Sequence, residues 1–153
     1  MHETEALHIR RLTAEDLEPL HRLLSDPAVM RYLEPPFTRA QTEAFLQKAG
    51  MGTEPLIWAV EDGRGFAGYV IYHPYDETSM ELGWVLASDR WGRGYALALT
   101  RQMICRARES GRDAVIECHP QQAATRHIAE KLGFRPCGMD GGCCVYRLAG
   151  KNE

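Results

Sequence analysis

The chain has 153 residues, 44% apolar and 25% charged, and its 18 Lys and Arg against 21 Asp and Glu leave a formal charge of -3. That length predicts one domain over residues 1–153 with a core that needs no staple, and the balance excludes a disordered chain and a nucleic-acid footprint. No apolar run reaches the roughly 18 to 20 residues of a membrane span, and Met1 to Arg10 is too polar for a signal peptide, so a cytoplasmic protein with its five cysteines as thiols is expected.

Leu7 to Leu12 alternates like a half-buried strand, and Thr13 with Asp16 forms a capping-box signature ahead of a helix carrying Leu17, Leu20, Leu23 and Leu24 at helical spacing. Ser25-Asp26-Pro27 ends that helix. Glu34-Pro35-Pro36-Phe37 is a stiff loop, and Thr38 with Gln41 opens a second helix through about Lys48, closed by Gly50 and Gly52. Leu56 to Val60 and Phe66 to His73 read as antiparallel strands about the turn Asp62-Gly63-Arg64-Gly65, and Met80 to Leu86 as another strand. From Tyr95 to Ser110 the period lengthens, with Leu99, Met103, Ile104 and Ala107 on one face and Arg101, Arg106 and Arg108 off it; Gly111 stops the helix. Ala114 to Cys118 is a buried-type strand, Gln122 to Leu132 a helix ended by Gly133 in the left-handed position, and Val145 to Leu148 a last strand.

The order β, α, α, β, β, β, α, β, α, β predicts an α/β (α+β) domain with a mixed, mostly antiparallel sheet flanked by helices. Its strand-helix-strand crossover runs from Met80 to Cys118, and Arg90-Trp91-Gly92-Arg93-Gly94-Tyr95-Ala96 opens the crossover helix. Glycines there let backbone approach a ligand, and free N–H groups at a helix start favour phosphate, although such a turn can also bind nothing. A dinucleotide fingerprint would want Gly or Ala where Leu97 stands, and the βαβ repetition is missing. No Gly-x-x-x-x-Gly-Lys-Ser/Thr loop occurs, which disfavours an ATPase or kinase.

Three stretches together resemble the GNAT superfamily of acetyl-CoA-dependent N-acetyltransferases, and more narrowly its ribosomal-protein N-terminal (RimJ/RimL-like) branch. Glu81-Leu82-Gly83-Trp84-Val85-Leu86 is similar to the family's fourth strand, and Trp91-Gly92-Arg93-Gly94-Tyr95-Ala96 to its pyrophosphate loop. Pro120 to Thr125 followed by Glu130-Lys131-Leu132-Gly133-Phe134 is similar to the helix after the fifth strand. The resemblance implies a GNAT-like single domain that binds acetyl-CoA through Trp91, Gly92, Arg93, Gly94, Tyr95 and Ala96. It implies that Trp84, Val85 and Leu86 hold the acetyl carbonyl and pantetheine, and that Gln122 and Thr125 stand where the family has Asn and Ser. Ala129 occupies the place where other members carry a tyrosine general acid.

Glu81 matches the family position of a general base, which a carboxylate can be if burial raises its pKa; the bland alternative is a solvated strand glutamate, and Glu117 is the reserve. Thr125 either reprotonates the departing thiolate or merely caps its helix. Tyr32, Glu34 and Phe37 lie where the family's substrate loop lies. Cys118-His119 invites a nucleophile-base reading, yet adjacent strand residues point to opposite faces. No spacing suggests a metal site. The expectation is therefore direct acetyl transfer from acetyl-CoA to an amine, with a peptide or protein N-terminus ahead of a polyamine or amino-sugar. A non-catalytic acyl-CoA sensor stays open as the alternative, as does a homodimer; neither nucleic acid nor membrane is expected as a partner.

Overall fold

The computed structural model describes residues 6–150. Seven strands form one sheet: β1 (His8–Arg10), β2 (Ile57–Asp62), β3 (Gly65–Asp76), β4 (Ser79–Leu86), β5 (Asp113–Cys118), β6 (Arg135–Asp140) and β7 (Cys143–Leu148), in the order β1-β2-β3-β4-β5-β7-β6. Pairing is antiparallel at β1–β2, β2–β3, β5–β7 and β6–β7, and parallel at β4–β5. The parallel pair is the expected crossover. By internal contacts the chain divides into two compact units, one built from residues up to Ile71 with Trp84–Tyr95, the other from Tyr72–Gly83 and Ala96 onward.

In the first unit both capping boxes form. The Thr13 N–H donates to Asp16 Oδ2 at 2.8 Å, and the Glu15 N–H to the Thr13 hydroxyl at 3.3 Å, so a single 3-10 turn precedes α1 (Leu17–Leu24). Asp16 also receives Arg10 through two hydrogen bonds of 2.8 and 2.9 Å, which ties β1 to the start of the helix. Ser25-Asp26-Pro27 ends α1 as expected, and Pro27 also opens α2 (Pro27–Met30), because Asp26 accepts the Ala28 N–H at 2.9 Å and a proline at the first helical position has no donor to lose. Thr38 and Gln41 exchange bonds of 2.8 and 3.1 Å at the head of α3 (Arg39–Phe45), which continues as a π turn over Leu46–Gly50. Leu20, Leu23 and Leu24 of α1 are buried against Leu46, Ile57 and Tyr69. The anticipated strand Leu7 to Leu12 contracts to three residues with Leu7 and Leu12 buried beside it.

α4 (Tyr95–Glu109), which belongs to the second unit from Ala96 onward, buries Leu99, Met103, Ile104 and Ala107 and leaves Arg101, Arg106 and Arg108 exposed, as its period requires. α5 (Ala123–Lys131) follows β5, and Gly133 at φ +91 ends that turn. Two departures from expectation concern strands. β3 runs through Pro74 to Asp76, since the turn that ends it lies further on, where Asp76 Oδ1 accepts the Thr78 N–H at 2.9 Å and the Ser79 hydroxyl at 2.7 Å. β6 was not anticipated at all: its six residues are all exposed, so no apolar alternation marks it, and it is defined by pairing with β7.

Candidate active site

The loop Trp91 to Gly94 connects a 3-10 turn, Ser88–Arg90, to the first residue of α4. Gly92 and Gly94 stand at φ +77 and +81, a region that side chains with a Cβ rarely adopt. A Cβ at either would meet no atom within 4 Å. Packing therefore does not demand these glycines; their conformation does, together with open space for something to approach from outside. The leading N–H groups of a helix lack intrahelical acceptors and carry the positive end of its dipole, so this loop is suited to an anion. Trp91 is 51% exposed while its indole N–H donates to the Leu86 carbonyl at 2.9 Å, fixing the loop to the end of β4. Arg93 is exposed, whereas Tyr95 is 4% exposed and its hydroxyl donates to Asp62 at 2.8 Å, leaving only its backbone for a ligand. Val85 and Leu86 are buried and Trp84 is half-buried. A cleft of about 620 Å³ in the same unit is lined by Arg22, Asp26, Phe66, Ser88 and Arg90 among others.

A second cluster gathers on β3, β4 and β5. Glu81 pairs with Val115 across the parallel strands, and Glu117 lies two residues further along β5, hence on the same face. Glu81 Oε1 is 3.5 Å from His73 Nε2, and Glu117 Oε2 accepts the Tyr75 hydroxyl at 2.6 Å. His73 Nδ1 lies 2.9 Å from the Pro74 carbonyl, which can only accept, so Nδ1 carries hydrogen. A favourable approach of Nε2 to Glu81 then requires a further proton on one of the two groups. Burial pushes the Glu81 carboxyl above its ordinary range; His73 opposes the shift and the Glu117 charge adds to it. Tyr75 is pushed up to about 12 by its bond to Glu117 and by burial, so its phenol stays protonated at neutral pH. This constellation can take up a proton at Glu81 and hold one at Tyr75.

Of these four residues the sequence pointed to Glu81 and Glu117. His73 and Tyr75 were missed because the strand was ended at His73; their spacing of two, on a strand continued to Asp76, is the signal that would have found them. Gln122 and Thr125 belong to the start of α5. The Gln122 carbonyl accepts the His119 N–H at 2.8 Å, so half of its amide already holds the turn after β5, and Thr125 is half-buried. Phe37 stacks edge-on to Phe45 with centroids 5.8 Å apart and packs on the core, Tyr32 lies under Arg31, and Glu34 is exposed. These three do not line the cleft above.

Cys118 is buried, and burial pushes its thiol to about 11, so little thiolate exists at neutral pH. His119 faces elsewhere: its Nδ1 accepts the Gln121 N–H at 3.0 Å. Cys118→Ala is accordingly expected to keep kcat/KM within about twofold in a CoA-release assay; loss of turnover with intact folding and CoA binding would restore a covalent acyl-enzyme. Among the described residues no cluster of three or more His, Cys, Asp or Glu could hold a metal, and no helix is long and apolar enough to cross a membrane.

Residues 6–135 match the family described as the acetyltransferase (GNAT) domain. The chain belongs to that family, whose members move acetyl from acetyl-CoA to an amine. An uncharacterized N-acetyltransferase of Bacillus subtilis (strain 168), YnaD, is 26% identical over 145 residues, 92% of this chain and 85% of that one. A GNAT-family acetyltransferase structure from Bacillus anthracis superposes with TM-score 0.83 at 24% identity, covering 98% of both chains. The fold is shared at 22% identity and TM-score 0.75 by a spermidine N-acetyltransferase of Vibrio cholerae in complex with CoA and spermine, covering 93% of both chains. It is shared at 17% identity and TM-score 0.70 by the ribosomal-protein-S18-alanine N-acetyltransferase of Escherichia coli, covering 97% of this chain and 96% of that one.

Proposed function

We propose that this N-acetyltransferase acts in the cytoplasm as a single domain and acetylates the free α-amine of a peptide or protein N-terminus, as its resemblance to the RimJ/RimL-like branch suggests. The observation that carries the reading is the raised, half-buried Glu81 carboxyl beside His73. An α-amine of pKa near 8 loses its proton at pH 7 for roughly 1.4 kcal/mol, whereas a lysine near 10.4 needs more than three times that. A carboxylate of modest basicity suits the first.

In this reading the N–H groups of Gly92, Arg93, Gly94, Tyr95 and Ala96, with Trp91 anchoring the loop, hold the pyrophosphate of acetyl-CoA. Backbone groups of Trp84, Val85 and Leu86 hold the acetyl carbonyl and pantetheine, and the free amide N–H₂ of Gln122 adds a donor. The amine nitrogen attacks the thioester carbonyl carbon, Glu81 takes a proton from that nitrogen directly or through water, and the C–S bond breaks as the tetrahedral adduct collapses. The thiolate is protonated through the Thr125 hydroxyl, which takes a proton from solvent as it gives one up, and Glu81 releases its proton to solvent, giving CoA and the amide. Tyr32, Glu34 and Phe37 contact the acceptor.

Gly94→Val tests the loop. A branched side chain at φ +81 strains the turn and fills the space that the glycine leaves open, so CoA affinity measured by calorimetry is expected to fall at least about tenfold. Equal affinity in the two proteins removes the pyrophosphate assignment. A peptide with a free N-terminal alanine is expected to react faster than the same peptide blocked at its N-terminus and carrying a lysine.

A second reading, a polyamine acceptor, is favoured by the carboxylates Glu81 and Glu117 on one face and by the fold shared with the spermidine enzyme. Spermidine outpacing the alanine peptide in the same assay would select it. No CoA release with any amine would leave an acyl-CoA-binding sensor.

A further inference from the structure

Two side chains reach one buried carboxylate from either end of the glycine loop. Arg90, immediately before it, donates Nε to Asp62 Oδ2 at 2.9 Å and Nη2 to Oδ1 at 3.1 Å. Tyr95, immediately after it, donates its hydroxyl to the same Oδ2 at 2.8 Å. Asp62 ends β2, where its Oδ1 also accepts the Arg64 N–H at 2.9 Å, so the carboxylate is fixed to its own hairpin turn. The Asp62 side chain is 0% and that of Arg90 9% exposed.

Trp91 to Gly94 thus has pinned ends and, at its two glycines, nothing against which a side chain would pack. The Trp91 N–H donates to the Ser88 carbonyl at 3.3 Å, and the flanking Arg90 and Tyr95 side chains are held by Asp62. A buried ion pair is seldom the most stable filling for a core, since a well-packed apolar pair often does as well or better. Here the two side-chain donors that converge on the acid, Arg90 and Tyr95, flank the same four residues, a coincidence that packing alone does not ask for. Arg90 holds the Asp62 carboxyl well below the usual carboxylate range, so the clamp stays charged throughout the neutral range.

We propose that Asp62 is a positioning residue for acetyl-CoA: through Arg90 and Tyr95 it presets the backbone of Trp91 to Gly94 for the pyrophosphate. The inference rests on the pyrophosphate reading of the loop given above. It adds one residue distant in sequence from the motif, Asp62 at the end of β2, to what determines cofactor affinity.

The test is a double-mutant cycle on CoA affinity, read by calorimetry with CoA alone, using Asp62→Asn and Gly94→Ala. Each single variant is expected to weaken CoA about tenfold, and the double variant about as much as the weaker-binding single, because both act on one loop. Thermal melting of the free proteins shows whether each is folded. If Asp62→Asn does not fold, Tyr95→Phe replaces it, removing only the hydroxyl bond, with a several-fold loss and the same lack of additivity expected. Losses that multiply to about a hundredfold would show Asp62 acting by a route other than the loop and overturn the proposal. If Gly94→Ala weakens CoA while neither Asp62→Asn nor Tyr95→Phe does, the clamp fails and the loop reading stands. Unchanged affinity in Gly94→Ala removes the loop reading and the clamp with it.

Discussion

Glu81→Gln should bind CoA as the parent does and lose roughly 10² to 10⁴ in kcat/KM, the usual range for removing a general base. Gln keeps the shape of the protonated acid and has no basicity. The residual rate should rise with pH, because solvent then deprotonates the amine that the protein no longer can. The same substitution carries a stability signature whose sign follows from the direction of the shift. The folded state holds the Glu81 proton more tightly than the unfolded chain, since burial disfavours the charge. That stabilisation is present below the unfolded pKa and is lost as pH rises through the folded one. At neutral pH the parent therefore carries the cost of a half-buried carboxylate, and Glu81→Gln should melt higher there and about equally near pH 4. Unchanged kcat/KM across pH 6 to 9 would move the base to Glu117 or to a substrate that arrives neutral.

Gly68→Ala is expected to cause the largest loss of stability from a single methyl. Gly68 lies in β3 at φ +146, and an added Cβ would fall on the Val85 carbonyl oxygen and within 2.9 Å of Leu86 Cα. Both obstacles are backbone, so no rotamer change relieves them. Strain at an unfavoured φ and a forced backbone shift add to about 2 to 5 kcal/mol, or a melting temperature lower by roughly 5 to 15 °C at this chain length. Gly63→Ala is the control: it has no positive φ and nothing within 4 Å of its added Cβ, so it should stay within about 0.5 kcal/mol of the parent in urea unfolding. A loss at Gly68 no larger than at Gly63 would mean that β3 can withdraw from Val85 without cost.

By itself the sequence determined the helix caps, the buried face of α4 and the glycine motif, whose signals lie within a few residues of one another. Caps announce themselves within four residues, so Thr13 with Asp16 and Thr38 with Gln41 were readable and both close as expected. The period of α4 named its buried face, and the glycine loop with its flanking strand and helix was legible as one motif, because all three are contiguous. Only the tertiary structure decided what depends on register. β6 has no apolar alternation, and its place comes wholly from pairing with β7. His73 and Tyr75 meet Glu81 and Glu117 because a hairpin returns β3 upon β4 and a parallel pair then sets Glu81 against Val115. Asp62 reaches Arg90 across 28 residues and Tyr95 across 33, separations over which no local preference acts. Their union exists because a buried charge must find its partners wherever the folded chain brings them.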